Sequence, residues 1–287
     1  MIDTRGALLN GDWPFLCALL GLKGASSTFP CPICTIFHQG LLQKKPLRQP
    51  GDKHSADPSH PPLLVIPSER VVPTPLHLYL GINNRIIFDV FSEVLGEKSI
   101  REAVGRVKTL HSAGCGGLSD LFEFNGPEIS KWIKNNSSEA LLEAAAAVTP
   151  LASAVKTKVR RLTRWMRVLH NRLLHAKDWE EVDLFSFRAF LDDIYKHWCR
   201  TTGEEPFPKL HMLRHAVEFA ERNKFLGRAS EAQIESFHAQ FNTLFHDHHL
   251  NQGSNTAERL RRCLSDATLR AVQPRLPLAD KTNVYTR

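Results

Sequence analysis

Between Pro208 and Asn242 the chain sets two histidines four residues apart, His211 and His215. After a break at Gly227 it sets two glutamates four apart, Glu231 and Glu235. At 3.6 residues per helical turn, positions i and i+4 lie on one face. Each pair therefore predicts two side chains stacked on one side of a helix: imidazoles that can grip one metal ion, and carboxylates that can line one wall. Such a chain has to deliver partner ligands to both helices.

Partners for the histidines stand near the other end. The cysteines are Cys17, Cys31, Cys34, Cys115, Cys199 and Cys263, and Cys31-Pro32-Ile33-Cys34 is the one close pair. A chain of 287 residues can bury a core without staples, so this pair reads as a metal site rather than a disulfide. Two thiolates and two imidazoles make the ligand set of a closed tetrahedral zinc site. The 177 positions from Cys34 to His211 far exceed the spacing of a small zinc finger. Zinc here would tie the two ends of a domain together and contribute folding energy rather than catalysis. A zinc protease is disfavoured, because Met212 stands where an HExxH motif needs glutamate.

The glutamate helix is expected to start at a capping box, with Ser230 as N-cap and Gln233 at N3. Ile234, Phe237, Phe241, Leu244 and Phe245 form its apolar face, and Glu231, Glu235, His238 and Asn242 another. That polar row is either solvated or a wall for divalent ions of the kind that drive phosphoryl transfer. The second role needs carboxylates from distant parts of the chain. Asp12 is the best candidate, read as sitting at a strand end after Ala7-Leu8-Leu9. Local sequence alone favours the plainer reading, Asp12 as the cap of a short helix with Pro14 in its first turn.

The rest of the chain narrows the partners. A net charge of +7 and a pI near 9.2 favour a polyanionic partner, which usually means nucleic acid and less often an acidic membrane surface. The helix predicted from Leu151 to about Ala176 concentrates that charge. It buries a stripe of Val155, Val159, Leu162, Met166, Leu169 and Leu173, and sets Arg160, Arg161, Arg164, Arg167 and Arg172 opposite. These arginines read as phosphate contacts or as partners of Asp178, Glu180, Glu181 and Asp183. No run of apolar residues reaches a membrane span and no signal-peptide pattern opens the sequence, so an intracellular protein without a membrane partner is expected.

Eight of the seventeen prolines fall between Leu41 and Pro75, which reads as a long loop or linker. A buried amphipathic helix is expected from Leu76 to Leu95, ended by Gly96. The glycine-rich turn Gly114 to Gly117 lacks a following Lys-Ser/Thr and is no phosphate loop. Strand is expected near Leu118 to Phe124. Helices resume at Ser130, Ser138 caps one of them, and an aromatic-rich helix runs from Asp183 to Cys199. A last helix from about Asn255 to Val272 carries Arg259, Arg261 and Arg262.

Taken in order, Asp12, Cys31-x-x-Cys34, Pro75-Leu76-His77 with Gly81, Phe124-Asn125-Gly126, His211-x-x-x-His215 and Glu235 within Ser-Glu-Ala-Gln-Ile-Glu-Ser resemble a known family. It is the catalytic core of the V(D)J recombinase catalytic subunit and the related Transib-type DDE transposases. The resemblance is collinear over nearly the whole chain. It implies a mixed α/β, mostly helical fold: a partial RNase H-like core with a large helical insertion, pinned by zinc on Cys31, Cys34, His211 and His215. It implies catalytic roles for Asp12 and Glu235, which would hold Mg²⁺ or Mn²⁺. Glu235 is preferred to Glu231 because its Glu-Ser step matches the family pattern. The family's first catalytic aspartate lies well upstream of the second, whereas eleven residues precede Asp12 here and Asp3 is too close to replace it.

The expected function is therefore that of a DDE-type transposase or recombinase, incomplete in this chain. It would act on DNA in the nucleus, with a second chain or a homodimer as partner. The alternative is a transposase-derived protein that binds DNA or protein without cutting. The expected organisation is a partial RNase H-like segment with the cysteine knuckle (1–40), the Pro-rich loop (41–75) and a helical insertion (76–207) containing the basic helix (151–176). The histidine and glutamate helices (208–272) and a tail (273–287) complete it.

Overall fold

The computed structural model of the chain describes residues 8–49, 52–59, 61–107, 124–148 and 151–229. Helix dominates them. Among the described residues β-structure amounts to three isolated bridges, Leu9 with Val71, Leu22 with Ala56 and Cys34 with Leu47. The mostly helical expectation holds. The run expected as strand before Asp12 contributes one parallel bridge, in which Leu9 N–H donates to Arg70 O at 2.9 Å and Val72 N–H to Leu9 O at 2.8 Å. Residues 118–123, the other expected strand, lie outside the described residues.

Helix α1 spans Trp13–Leu19, and the Asp12 carboxylate caps it by accepting from Phe15 N–H at 2.7 Å. Helix α2, Pro75–Asn84, runs through one π-helical stretch, Arg85–Val90, into α3, Phe91–Leu95. Burial explains the wide turn: Ile82, Asn83, Ile86, Ile87, Val90 and Phe91 are all buried, a broader stripe than regular 3.6-residue spacing presents. Gly96, at φ +88°, ends the run as expected.

Helix α4 covers Glu97–Val107. Helix α5, Gly126–Lys134, begins four residues before the expected Ser130, because Asn125 and Glu128 form a capping box and Pro127 sits in the first turn. Helix α6, Ser137–Val148, already contains Ser138. The Ser138 hydroxyl is buried and accepts from Trp132 Nε1 at 2.9 Å instead of capping.

The long helices are α7 (Ser153–Leu173), α8 (Glu181–Thr202) and α9 (Pro208–Asn223). Of the stripe predicted on α7, Val159, Leu162, Met166, Leu169 and Leu173 are buried and Val155 packs on the core. Helix α2 packs on α7 and α9, and α8 packs on the same two, so four helices enclose the main core. Trp165 and Trp198 stack across the α7–α8 seam with centroids 6.1 Å apart. Tyr79, Phe187 and Phe219 are also fully buried, each adding about 1.5–3 kcal/mol of apolar burial. After α9, Gly227 approaches the backbone of α7's exit: a Cβ there would lie 2.2 Å from His175 O.

Candidate metal centre

Helix α9 starts at Pro208, whose fixed φ suits a first turn, and buries Leu210, Met212, Leu213, Ala216, Val217 and Phe219 against its neighbours. His211 and His215, 0% and 3% exposed, are buried on an adjoining side of the same helix. Their rings meet edge to face with centroids 5.0 Å apart, the geometry that i, i+4 spacing dictates. Cys31 and Cys34 are buried opposite them.

The two halves meet as the sequence predicts. One ligand atom from each of Cys31, Cys34, His211 and His215 can be chosen so that all lie within 4.8 Å of one another, and Cys34 Sγ is 3.2 Å from His211 Nε2. A tetrahedral zinc site with bonds of 2.0–2.3 Å has ligand atoms about 3.3–3.8 Å apart, so closure asks for shifts of about 1 Å or less. The cluster could hold a metal ion such as zinc.

Hydrogen bonding fits the donor set to that task. His211 Nδ1–H donates to Leu41 O at 2.7 Å, and His215 Nδ1–H donates to Glu218 Oε2 at 3.0 Å. Each bond fixes a tautomer that turns the Nε2 lone pair toward the thiols, the arrangement usual for metal-bound histidine. His215 Nε2 is buried and has no hydrogen-bond partner among the described residues, a cost that a metal would remove. The neighbouring Cys31, then His211 and His215, hold the Cys34 thiol far below its ordinary range. Burial, then the adjacent Cys34, pushes Cys31 well up, so the pair shares one proton. Burial opposes charge on His215, but Cys34 and Glu218 outweigh it and raise the imidazole.

The Pro-rich segment, expected as a long loop or linker, is mostly irregular, and it forms part of the site. Leu41 O orients His211, Leu42 O accepts from Arg214 Nη2 at 3.0 Å, and Cys34 bridges to Leu47. Arg48 is 5% exposed and spreads its guanidinium over the carbonyls of Cys31, Phe29 and His54. On α8, the Tyr195 hydroxyl donates to Leu210 O and His211 O at 3.0 and 2.9 Å, holding the first turn of α9. Glu218 was legible in principle, one turn after His215. Arg48 lies in a stretch without periodicity, and no sequence pattern marks it.

The other sequence-predicted residues are placed as follows. Asp12 is exposed and serves as the α1 cap. Glu231, Glu235, His238, Asn242 and the arginines after Asn255 lie outside the described residues. On α7, Arg160 is 3.9 Å from Glu139, and Arg167 donates to Asn136 Oδ1 at 2.6 Å. Arg161 is half-buried and Arg164 exposed. Arg172 pairs with Asp183 and donates to Ser186 Oγ at 2.6 Å, so it is engaged in the acidic neighbourhood named above.

Beside α1 the fold opens a cleft of about 760 Å³, lined by Trp13, Pro14, His77, Gly81, Arg85, Phe124, Phe207 and Lys209 among others. Its walls draw on the Asp12 neighbourhood, the Pro75-Leu76-His77 and Gly81 motif, the Phe124-Asn125-Gly126 motif and the start of α9. Compared with protein-family models and with curated proteins, the chain matches none.

Proposed function

We propose that this chain is a DNA transposase- or recombinase-like protein of the DDE type, related to the V(D)J recombinase catalytic core and Transib transposases. In this reading zinc on Cys31, Cys34, His211 and His215 holds an RNase H-like core to its helical insertion. DNA follows the basic face of α7, and the protein works in the nucleus with a second chain or copy. The observation that carries the proposal is that motifs far apart in sequence share one cleft: residues next to Asp12, His77 with Gly81, Phe124, and the residues just before His211.

Asp12 and Glu235 would hold Mg²⁺ or Mn²⁺, which supplies charge stabilisation and activates water for phosphoryl transfer. The chain's own residues would set the surroundings, with Arg85 and Lys209 supplying cationic walls beside the apolar Trp13, Phe124 and Phe207. One observation favours a second reading, a transposase-derived protein that binds without cutting: the Asp12 carboxylate is already engaged as a helix cap.

Nicking of supercoiled plasmid in Mn²⁺, measured beside DNA affinity at several salt concentrations, separates the two. Asp12→Asn keeps a capping side chain and so keeps the fold, but weakens a metal ligand. Nicking lost in Asp12→Asn and in Glu235→Gln supports the first reading. Salt-dependent binding with no nicking, even when a second chain is added that can supply the remaining catalytic carboxylate, supports the second. Neither binding nor nicking overturns both.

A further inference from the structure

We infer that Arg48 is a positioning residue of the metal centre, setting the geometry of the Cys31–Cys34 half without ligating. The inference rests on the metal-centre reading and extends it to a residue outside the ligand set. Arg48 Nε donates to Cys31 O at 2.8 Å, Nη1 to His54 O at 2.6 Å and Nη2 to Phe29 O at 3.1 Å. One planar fork thus clamps the peptide of a ligand, the residue two before it, and the Pro-rich segment.

Its backbone is fixed as well. Arg48 N–H donates to Ile33 O, between the two cysteines, at 2.9 Å, and Ser68 Oγ donates to Arg48 O at 2.6 Å. Among the described residues, the carboxylate paired with it is Asp52, at 3.9 Å. A buried guanidinium whose donors go to the carbonyls of Cys31, of Phe29 just before the knuckle and of His54 ties the knuckle to the Pro-rich segment. Zinc needs both thiolates at fixed separation and angle, and outer-shell partners of this kind typically govern affinity by 10- to 100-fold.

The test uses the full chain and two variants, Arg48→Gln and Arg48→Lys. Zinc affinity is measured by competition with a chromophoric chelator, and site geometry by the absorption of the Co²⁺-loaded protein. The expected result is at least tenfold weaker zinc binding in Arg48→Gln, a smaller loss in Arg48→Lys, and an altered Co²⁺ ligand-field spectrum in both. Should Arg48→Gln fail to fold, Arg48→Lys decides alone, since it keeps the charge and loses the fork. Wild-type affinity and spectrum in a variant of lower melting temperature would reduce Arg48 to a loop staple and overturn the inference while leaving the metal site standing. A wild-type protein that binds no zinc would overturn both.

Discussion

Asp183 is held by two cations at once. Arg172 binds one oxygen, Lys177 Nζ the other at 2.9 Å, and Glu180 N–H adds a long contact at 3.3 Å as part of the α8 capping box. Arg172, then Lys177, holds this carboxyl well below the usual range, although burial opposes ionisation. A depressed folded-state pKa contributes stability that is present above the unfolded value, about 4, and lost as pH falls through the folded one. Asp183→Asn should therefore destabilise at pH 7 by about 1–2 kcal/mol, allowing for the exposed side of Lys177. The gap to wild type in urea midpoint should narrow steadily below about pH 4. A gap independent of pH would show that the pair contributes nothing through its charge. The same residue shows what sequence could and could not settle. Five arginines on one helix read equally as phosphate contacts or as ion-pair partners, and among the described residues it is Arg172 that has a buried carboxylate within reach. Side-chain reach across two helices is a tertiary fact that spacing along α7 does not encode.

Elements were legible where one periodicity ruled. The α7 stripe and the histidine face of α9 follow i, i+3 and i+4 steps, and both are buried as those steps predict. The π stretch in the α2–α3 run was not legible, because its broad apolar face fits a regular helix almost as well. The Pro-rich segment was legible as irregular chain, but its packing was not. Few of its residues join regular structure, but irregular backbone can still be packed and hydrogen-bonded, as Arg48, Ser68, Val71 and Val72 are. At this scale the α7–α8 seam is the element pair to probe. Trp165 is 1% exposed, stacks on Trp198 and donates from Nε1 to Asp193 Oδ2 at 2.7 Å. Trp165→Ala should cost about 3–5 kcal/mol, read from chemical denaturation. Phe185→Ala on the outer face of α8, where Phe185 is 73% exposed, should change stability by no more than about 0.5 kcal/mol. Equal losses from the two would contradict the packing described.

Across the whole molecule, the metal centre joins the N-terminal knuckle and the Pro-rich segment that follows it to α9, whose His211 lies 170 positions beyond Leu41. Hydrophobic contact alone leaves buried thiols and imidazoles there with an unpaired nitrogen at His215, a costly arrangement without an ion. That is why bound zinc, rather than any single apolar contact, is the central claim of the proposed account. The most direct measurement is native mass spectrometry of the purified chain beside Cys31→Ser and His211→Ala. The account predicts one zinc per chain in the wild type and none in either variant. No zinc in the wild type, or zinc retained when His211 is replaced, would contradict it.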